Sequence, residues 1–238
     1  MQQLTNVRSF PSIRRVNIFD LDGTVIDSFH RVRPHLDDAG NLDLTGYINE
    51  ACTHEKIMDD ELLPLAEVMK TNIKDGETHN IVVTARTTYK SDYYYLRKQG
   101  LLTHQPQAAR LMTRTTLHKY FDLSDVPEIY SSRDAEYKRK YFEVIRAMYP
   151  NAEITVFDDH QGVLKVAAEM GFKVVDAVLF NDAMSVCASM AGADIADDLL
   201  SELTDPEYLS QHLADTWVNL TDDERALLTA TVHQLGSN

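Results

Sequence analysis

Apolar residues arrive along this chain in two rhythms. Short unbroken runs at 15–19, 81–83, 154–157 and 172–175, with a weaker one at 109–113, read as buried parallel strands, which have no solvent face and need no polar alternation. Between them the spacing changes to that of helices. Leu62, Leu63, Leu65, Ala66 and Met69 predict a helix over 60–73, with Pro64 in its first turn. Residues 90–98 with Gly100 beyond them predict a second helix, and 161–170 before Gly171 another. Tyr137, Tyr141, Val144 and Ile145 recur on one face of a helix predicted over 134–148, with Pro150 past its end. Strands that alternate with helices require right-handed crossovers. The expected fold is α/β, a doubly wound parallel sheet with helices on both faces.

In such sheets ligands bind outside the carboxyl ends of the strands. Asp20 and Asp22 follow the first run, Thr84 the second, and Asp158 and Asp159 the run at 154–157. An Asp-x-Asp-Gly string alone is an ordinary turn signal. Two strand-terminal carboxylate pairs brought to one crevice are not, because four carboxylates repel one another unless a cation lies among them. All-oxygen donors suit Mg²⁺, and the lack of His or Cys in the set disfavours zinc.

A length of 238 residues fits one substantial domain with an extension, and 44% hydrophobic residues are enough for a core. No apolar stretch approaches a membrane span, and the first 15 residues lack the apolar region of a signal peptide, so a cytoplasmic protein is expected. Cys52 and Cys187, far apart and in no metal-ligand spacing, read as reduced, core-type thiols. The net charge of −14 argues against a surface that coats nucleic acid, but the charge is uneven. Residues 84–141 carry eleven Lys/Arg against six Asp/Glu, whereas residues 181–238 carry Arg225 alone against eleven acids. The basic middle can face an anionic substrate.

DLDGT at 20–24 with its preceding strand, Thr84 in VVTAR, a helical lysine and VFDDH at 156–160 together resemble the haloacid dehalogenase superfamily of phosphatases, over about residues 15–176. The resemblance implies that Asp20 is the nucleophile, and that Asp22 is general acid to the leaving oxygen and then base to the water that cleaves an aspartyl-phosphate. Thr84 would bind the phosphoryl group and a lysine would neutralise it. Lys138 is chosen over Lys140 for that role, because Asp134 lies one helical turn before it and can orient the ammonium. RDAEYKRKYF and the stretch after VFDDH look like the phosphatase half of polynucleotide kinase-phosphatases, in which Arg86 would correspond to an arginine on the substrate phosphate. The implied metal ligands are Asp20, Asp22 and Asp158. Asp159 would hold a metal-bound water or orient Lys138.

No nucleotide-kinase phosphate loop is present. The expected organisation is a phosphatase core at 1–180, covered only by a small flap at 26–59, and an acidic helical extension at 181–238. Two capping boxes in that extension, beginning at Thr204 and Thr221, predict helices. An open site admits a small nucleotide or a polynucleotide end, and Tyr93, Tyr94 and Tyr95 offer rings for a base, though three adjacent helical residues cannot all face one way. The preferred reading is a nucleoside 5′-monophosphate phosphatase. A polynucleotide 3′-phosphatase is its rival, and a non-catalytic phospho-ligand module the reading from another class, disfavoured by the retained Asp20 and Asp22. No membrane partner is expected.

Overall fold

The computed structural model describes residues 7–75, 78–102 and 110–191. Seven strands and nine α-helices follow in those residues: β1 Arg15–Phe19, β2 Ile26–Asp27, α1 Phe29–Val32, α2 Leu44–Gly46, α3 His54–Met58, β3 Glu61–Leu62, α4 Leu65–Asp75, β4 Thr78–Val83, α5 Lys90–Lys98, β5 Arg110–Met112, α6 Val126–Ser131, α7 Asp134–Met148, β6 Glu153–Asp158, α8 Gln161–Glu169, β7 Lys173–Asp176 and α9 Ala177–Ala191. The chain divides after Asp176. The described part of the second unit is the helix α9, and the two helices expected from Thr204 and Thr221 lie outside the described residues. The side chain of Cys187 is likewise outside them, while Cys52 is a free, half-buried thiol.

Five strands form one parallel sheet in the order β5-β4-β1-β6-β7, the doubly wound arrangement expected. Strand β1 is central. Its Phe19 aligns with Val82 of β4 on one side and Phe157 of β6 on the other, so all three strands end at one level. The ladder runs one step further, with the Asp20 amide donating to Phe157 O at 3.0 Å and the Thr84 amide to Met112 O at 3.1 Å. Val16 and Ile18 of β1, Ile81 and Val83 of β4 and Val156 of β6 are fully buried in a core completed by Tyr137, Tyr141, Val144, Ile145 and Met148 of α7 and by Val163 and Ala167 of α8. Each such side chain contributes about 1.5–3 kcal/mol of burial. The periodicity read on 134–148 is the one that α7 buries.

The stretch expected as a helix over 60–73 divides in two. Glu61 and Leu62 form β3, antiparallel to β2 (Ile26 opposite Leu62, Asp27 opposite Glu61), and the helix starts only at Leu65. Pro64 explains this, since its ring pushes the preceding residue out of the helical region, and Leu63 instead donates its amide to Val25 O at 3.1 Å. Strands β2 and β3 thus form the base of an insertion after β1, in the stretch expected as a flap. The insertion between them folds into α1 to α3, and is tied to the main fold where Tyr95 of α5 donates its hydroxyl to Asp60 O at 2.6 Å.

Candidate active site

Asp20, Asp22, Thr84 and Asp158 stand where β1, β4 and β6 end, and Lys138 reaches the same crevice from the first turns of α7. The turn after β1 depends on Gly23, whose φ is +73°. A Cβ there would stand 2.6 Å from Asp159 Oδ2, so the glycine both allows the left-handed backbone and lets the second carboxylate pair approach the first. Immediately beyond, Leu21 O accepts from the amides of Thr24, Val25 and Ile26, closing the loop tightly.

Lys138 is 3% exposed. Its Nζ donates to Asp158 Oδ2 at 2.7 Å and lies 3.0 Å from Asp20 Oδ1. Burial alone would lower this ammonium's pKa, but the Asp20 and Asp158 carboxylates outweigh it and raise it, keeping the group charged. Lys140 is the contrast: half-exposed, and 3.9 Å from Glu143 on the helix surface. The geometry therefore favours Lys138. Its orientation comes from a different residue than expected, because Asp134 is exposed and accepts from Arg114 Nη2 at 2.9 Å, while Asp158 takes the ammonium. One helical turn made Asp134 a neighbour of Lys138 along the surface of α7, but the lysine points inward and Asp134 outward.

Carboxyl oxygens of Asp20, Asp158 and Asp159 all lie within 4.8 Å of one another. One ammonium balances only one of these three charges. Burial, with Asp158, Asp22 and Asp159 nearby, pushes the Asp20 carboxyl well above its ordinary range despite Lys138. Asp159 is raised as well, first by burial and then by Asp158. Asp20 Oδ1 is buried, and the Lys138 ammonium 3.0 Å away, already engaged with Asp158, is its ion-pair partner. A crowded all-oxygen set of three carboxylates facing a single ammonium fits a hard divalent cation. The set differs in one member from the Asp20, Asp22 and Asp158 expected: Asp159 stands among the gathered carboxylates and Asp22 does not.

Asp22 is drawn elsewhere. Its Oδ1 accepts from Ser28 Oγ at 2.6 Å and Arg86 Nη1 at 2.8 Å, with Arg31 Nη2 at 3.5 Å. Burial would raise this carboxyl, but Arg86, Arg31 and Ser28 together hold it below its ordinary value. Each guanidinium has its own anchor. Arg86 Nη2 donates to the buried Asp92 of α5, and Arg31 forks onto Asp60 at 2.7 and 3.0 Å while reaching Tyr47 Oη at 2.6 Å. The flap thus contributes Ser28 and Arg31 directly to the crevice. Thr84 is buried, with its Oγ1 accepting from the Arg86 amide at 3.3 Å. Arg114 braces the same loop, donating Nε to Ala85 O at 2.5 Å and packing its guanidinium 4.4 Å from the centre of the Tyr137 ring.

Sequence reasoning missed Ser28, Arg31, Asp60 and Asp92. Only Asp92 had a local signal, as the acidic third residue of a capping box whose carboxylate accepts from the Tyr89 amide at 2.6 Å. Of the three tyrosines, Tyr95 is buried and Tyr93 and Tyr94 line an open depression beside α5.

Among known proteins, residues 1–236 match the family described as Bacteriophage T5 5'-deoxynucleotidase. The chain is 48% identical over 234 residues to the 5'-deoxynucleotidase of Escherichia phage T5, covering 98% of this chain and 96% of that protein. Among solved structures it is similar to a hydrolase from Streptococcus pneumoniae TIGR4, with a TM-score of 0.42 and 12% identity over 69% of this chain and 92% of that one. It is also similar to a haloacid dehalogenase-like family hydrolase from Streptococcus pneumoniae, with a TM-score of 0.43 and 12% identity over 68% of this chain and 84% of that one.

Proposed function

Because the chain belongs to the Bacteriophage T5 5'-deoxynucleotidase family, we propose that it removes the 5′-phosphate of deoxyribonucleoside monophosphates by way of an aspartyl-phosphate on Asp20. The observation that carries the reading is Lys138, an ammonium buried between Asp20 and Asp158 at the mouth of the sheet, where a phosphoryl dianion would meet it.

In this account Asp20 attacks phosphorus in line with the leaving 5′-oxygen, and the P–O(5′) bond breaks as the bond to Asp20 Oδ forms. Lys138 and the Thr84 hydroxyl take the charge that spreads over the remaining phosphoryl oxygens. Asp22 protonates the leaving oxygen and then removes a proton from the water that attacks the aspartyl-phosphate, returning Asp20 and releasing phosphate. In the free protein Arg86 and Arg31 hold Asp22 ionised, the form needed for the second step. A phosphoryl dianion competes for Arg86 and so favours the protonated form needed for the first. The Ser28 hydroxyl and the Arg31–Asp60 clamp fix the side-chain direction throughout. Asp20, Asp158 and Asp159 would hold Mg²⁺, which supplies charge neutralisation for the carboxylates and the phosphoryl group when bound.

The test is phosphate release, with Mg²⁺, from deoxy- and ribonucleoside 5′- and 3′-monophosphates, sugar phosphates and phosphorylated oligonucleotides. Deoxynucleoside 5′-monophosphates are expected to be the best substrates. Release confined to oligonucleotide 3′ ends would overturn the reading.

A further inference from the structure

Helix α5 presents Lys90, Tyr93, Tyr94 and Arg97 at positions i, i+3, i+4 and i+7, which is one continuous face about 10 Å long at 1.5 Å per residue. With Thr88 and Tyr89 these side chains line the depression of about 590 Å³ beside the helix. Most of this face is open to solvent, with Lys90, Tyr94 and Arg97 exposed and Tyr93 half-buried. Tyr94 is 57% exposed and Tyr89 47%, while the tyrosine that the fold uses, Tyr95, is buried on the other side. Neither Lys90 nor Arg97 forms an ion pair with a described carboxylate. Lys90 also occupies the first position of α5, where the helix dipole disfavours a cation and favours an anion.

Two cations flanking one exposed and one half-buried ring ask for a ligand that brings both a planar ring and negative charge of its own. The nucleotide hydrolysed at Asp20 meets only half of that description, because its single phosphate is committed to Lys138 and Thr84. A base alone gives Lys90 and Arg97 nothing to neutralise.

We propose that this face of α5 is a second nucleotide site, separate from the one at Asp20 and occupied by another nucleoside phosphate. The inference rests on the proposed substrate class. The two sites share a mechanical element: the first turn of α5 carries Asp92, whose buried carboxylate accepts from both the Tyr89 amide and Arg86, and Arg86 in turn holds Asp22. The flap closes one end of the face, with His54 Nδ1 3.1 Å from Ser91 Oγ and its ring 5.8 Å from that of Tyr94.

The experiment is calorimetric titration of dAMP into the Asp20→Asn variant, which binds substrate without turnover. Two dAMP per chain are expected. Adding Lys90→Glu with Arg97→Glu should reduce this to one, and adding Tyr94→Ala should weaken the second site at least tenfold. In the wild-type background the same α5 substitutions should hydrolyse dAMP with unchanged KM, which also shows that they fold. A single site in Asp20→Asn would overturn the proposal. So would a raised KM in the α5 variants, because the face would then hold the base of the substrate itself. Tighter binding of a phosphate-free single-stranded oligonucleotide than of dAMP would overturn it too, making the face a strand track. Failure of the wild type to hydrolyse dAMP would be a separate result, against the proposed activity and not against the second site.

Discussion

Lys138 and Asp158 form a buried ion pair, Nζ to Oδ2 at 2.7 Å, that holds the ammonium 3.0 Å from Asp20 Oδ1. The two residues come from α7 and β6, twenty positions apart, and their contact fixes where a phosphoryl group can be neutralised. Replacing Lys138 by Met should lower kcat by about 10²–10³-fold, the usual effect of removing one charge-stabilising group. It should also cost ~3–5 kcal/mol in stability, since it leaves buried carboxylates unpaired. Lys140→Met should change activity less than twofold and stability by under ~1 kcal/mol, as for an exposed pair. Steady-state kinetics and urea melts of the two variants check both statements.

Asp134→Asn separates the geometry from the expectation drawn from helical spacing. With the carboxylate exposed and paired with Arg114, kcat should stay within about threefold of wild type and stability within ~1 kcal/mol. A loss of activity comparable with that of Lys138→Met would mean that Asp134 orients the lysine after all.

Gly23→Ala tests the close approach of the two carboxylate pairs. The left-handed backbone costs a side chain about 1–2 kcal/mol, and the new Cβ would meet Asp159 Oδ2 at 2.6 Å, displacing it. Thermal melting should fall and phosphate release should drop more than tenfold, with a weaker response to Mg²⁺.

Metal binding has a readout apart from activity. A cation held by Asp20, Asp158 and Asp159 stabilises the folded state by mass action, so added Mg²⁺ should raise the melting temperature of the wild type and chelator should reverse the rise. Asp158→Asn should abolish the shift. An equal shift in wild type and variant would contradict the assignment.

His79, packed edge-on against Tyr149 with its Nδ1 3.3 Å from the hydroxyl, gives a prediction in pH. Burial, and then Arg110, lower its pKa below the ordinary value of 6.5. The unfolded chain therefore binds the proton more readily than the folded one. The stability that His79 contributes is complete above about pH 6.5 and is lost as pH falls from there through the folded value. Melting temperatures of wild type should decline more steeply between pH 7 and pH 5 than those of His79→Gln.

The strands, the helix α7 and the placement of Asp20, Thr84 and Asp158 were legible because each depends on local pattern: an apolar run, a helical stripe, a polar residue at a strand end. Spacing along α7 offered both Lys138 and Lys140 and did not say which residues face inward, so the inward position of Lys138 and the outward one of Asp134 were not legible. The network around Asp22 was illegible. Arg31 and Asp60 meet across 29 positions, and their pairing needs the flap to fold, for which short helices such as α1 to α3 leave almost no periodic signal. The gathered carboxylates differ from the expected metal set by one residue for the same reason. Two guanidiniums, neither predictable as a partner of Asp22, draw its carboxylate away and leave Asp159 among the gathered acids.

The claim on which the account turns is that Asp20 carries the phosphoryl group. Enzyme turning over dAMP can be quenched in borohydride, which reduces an aspartyl-phosphate to homoserine, and the peptide spanning 16–28 analysed by mass spectrometry. Homoserine at position 20, absent without dAMP, is the predicted result. Phosphate release at the full rate with homoserine at any position other than 20 would contradict it.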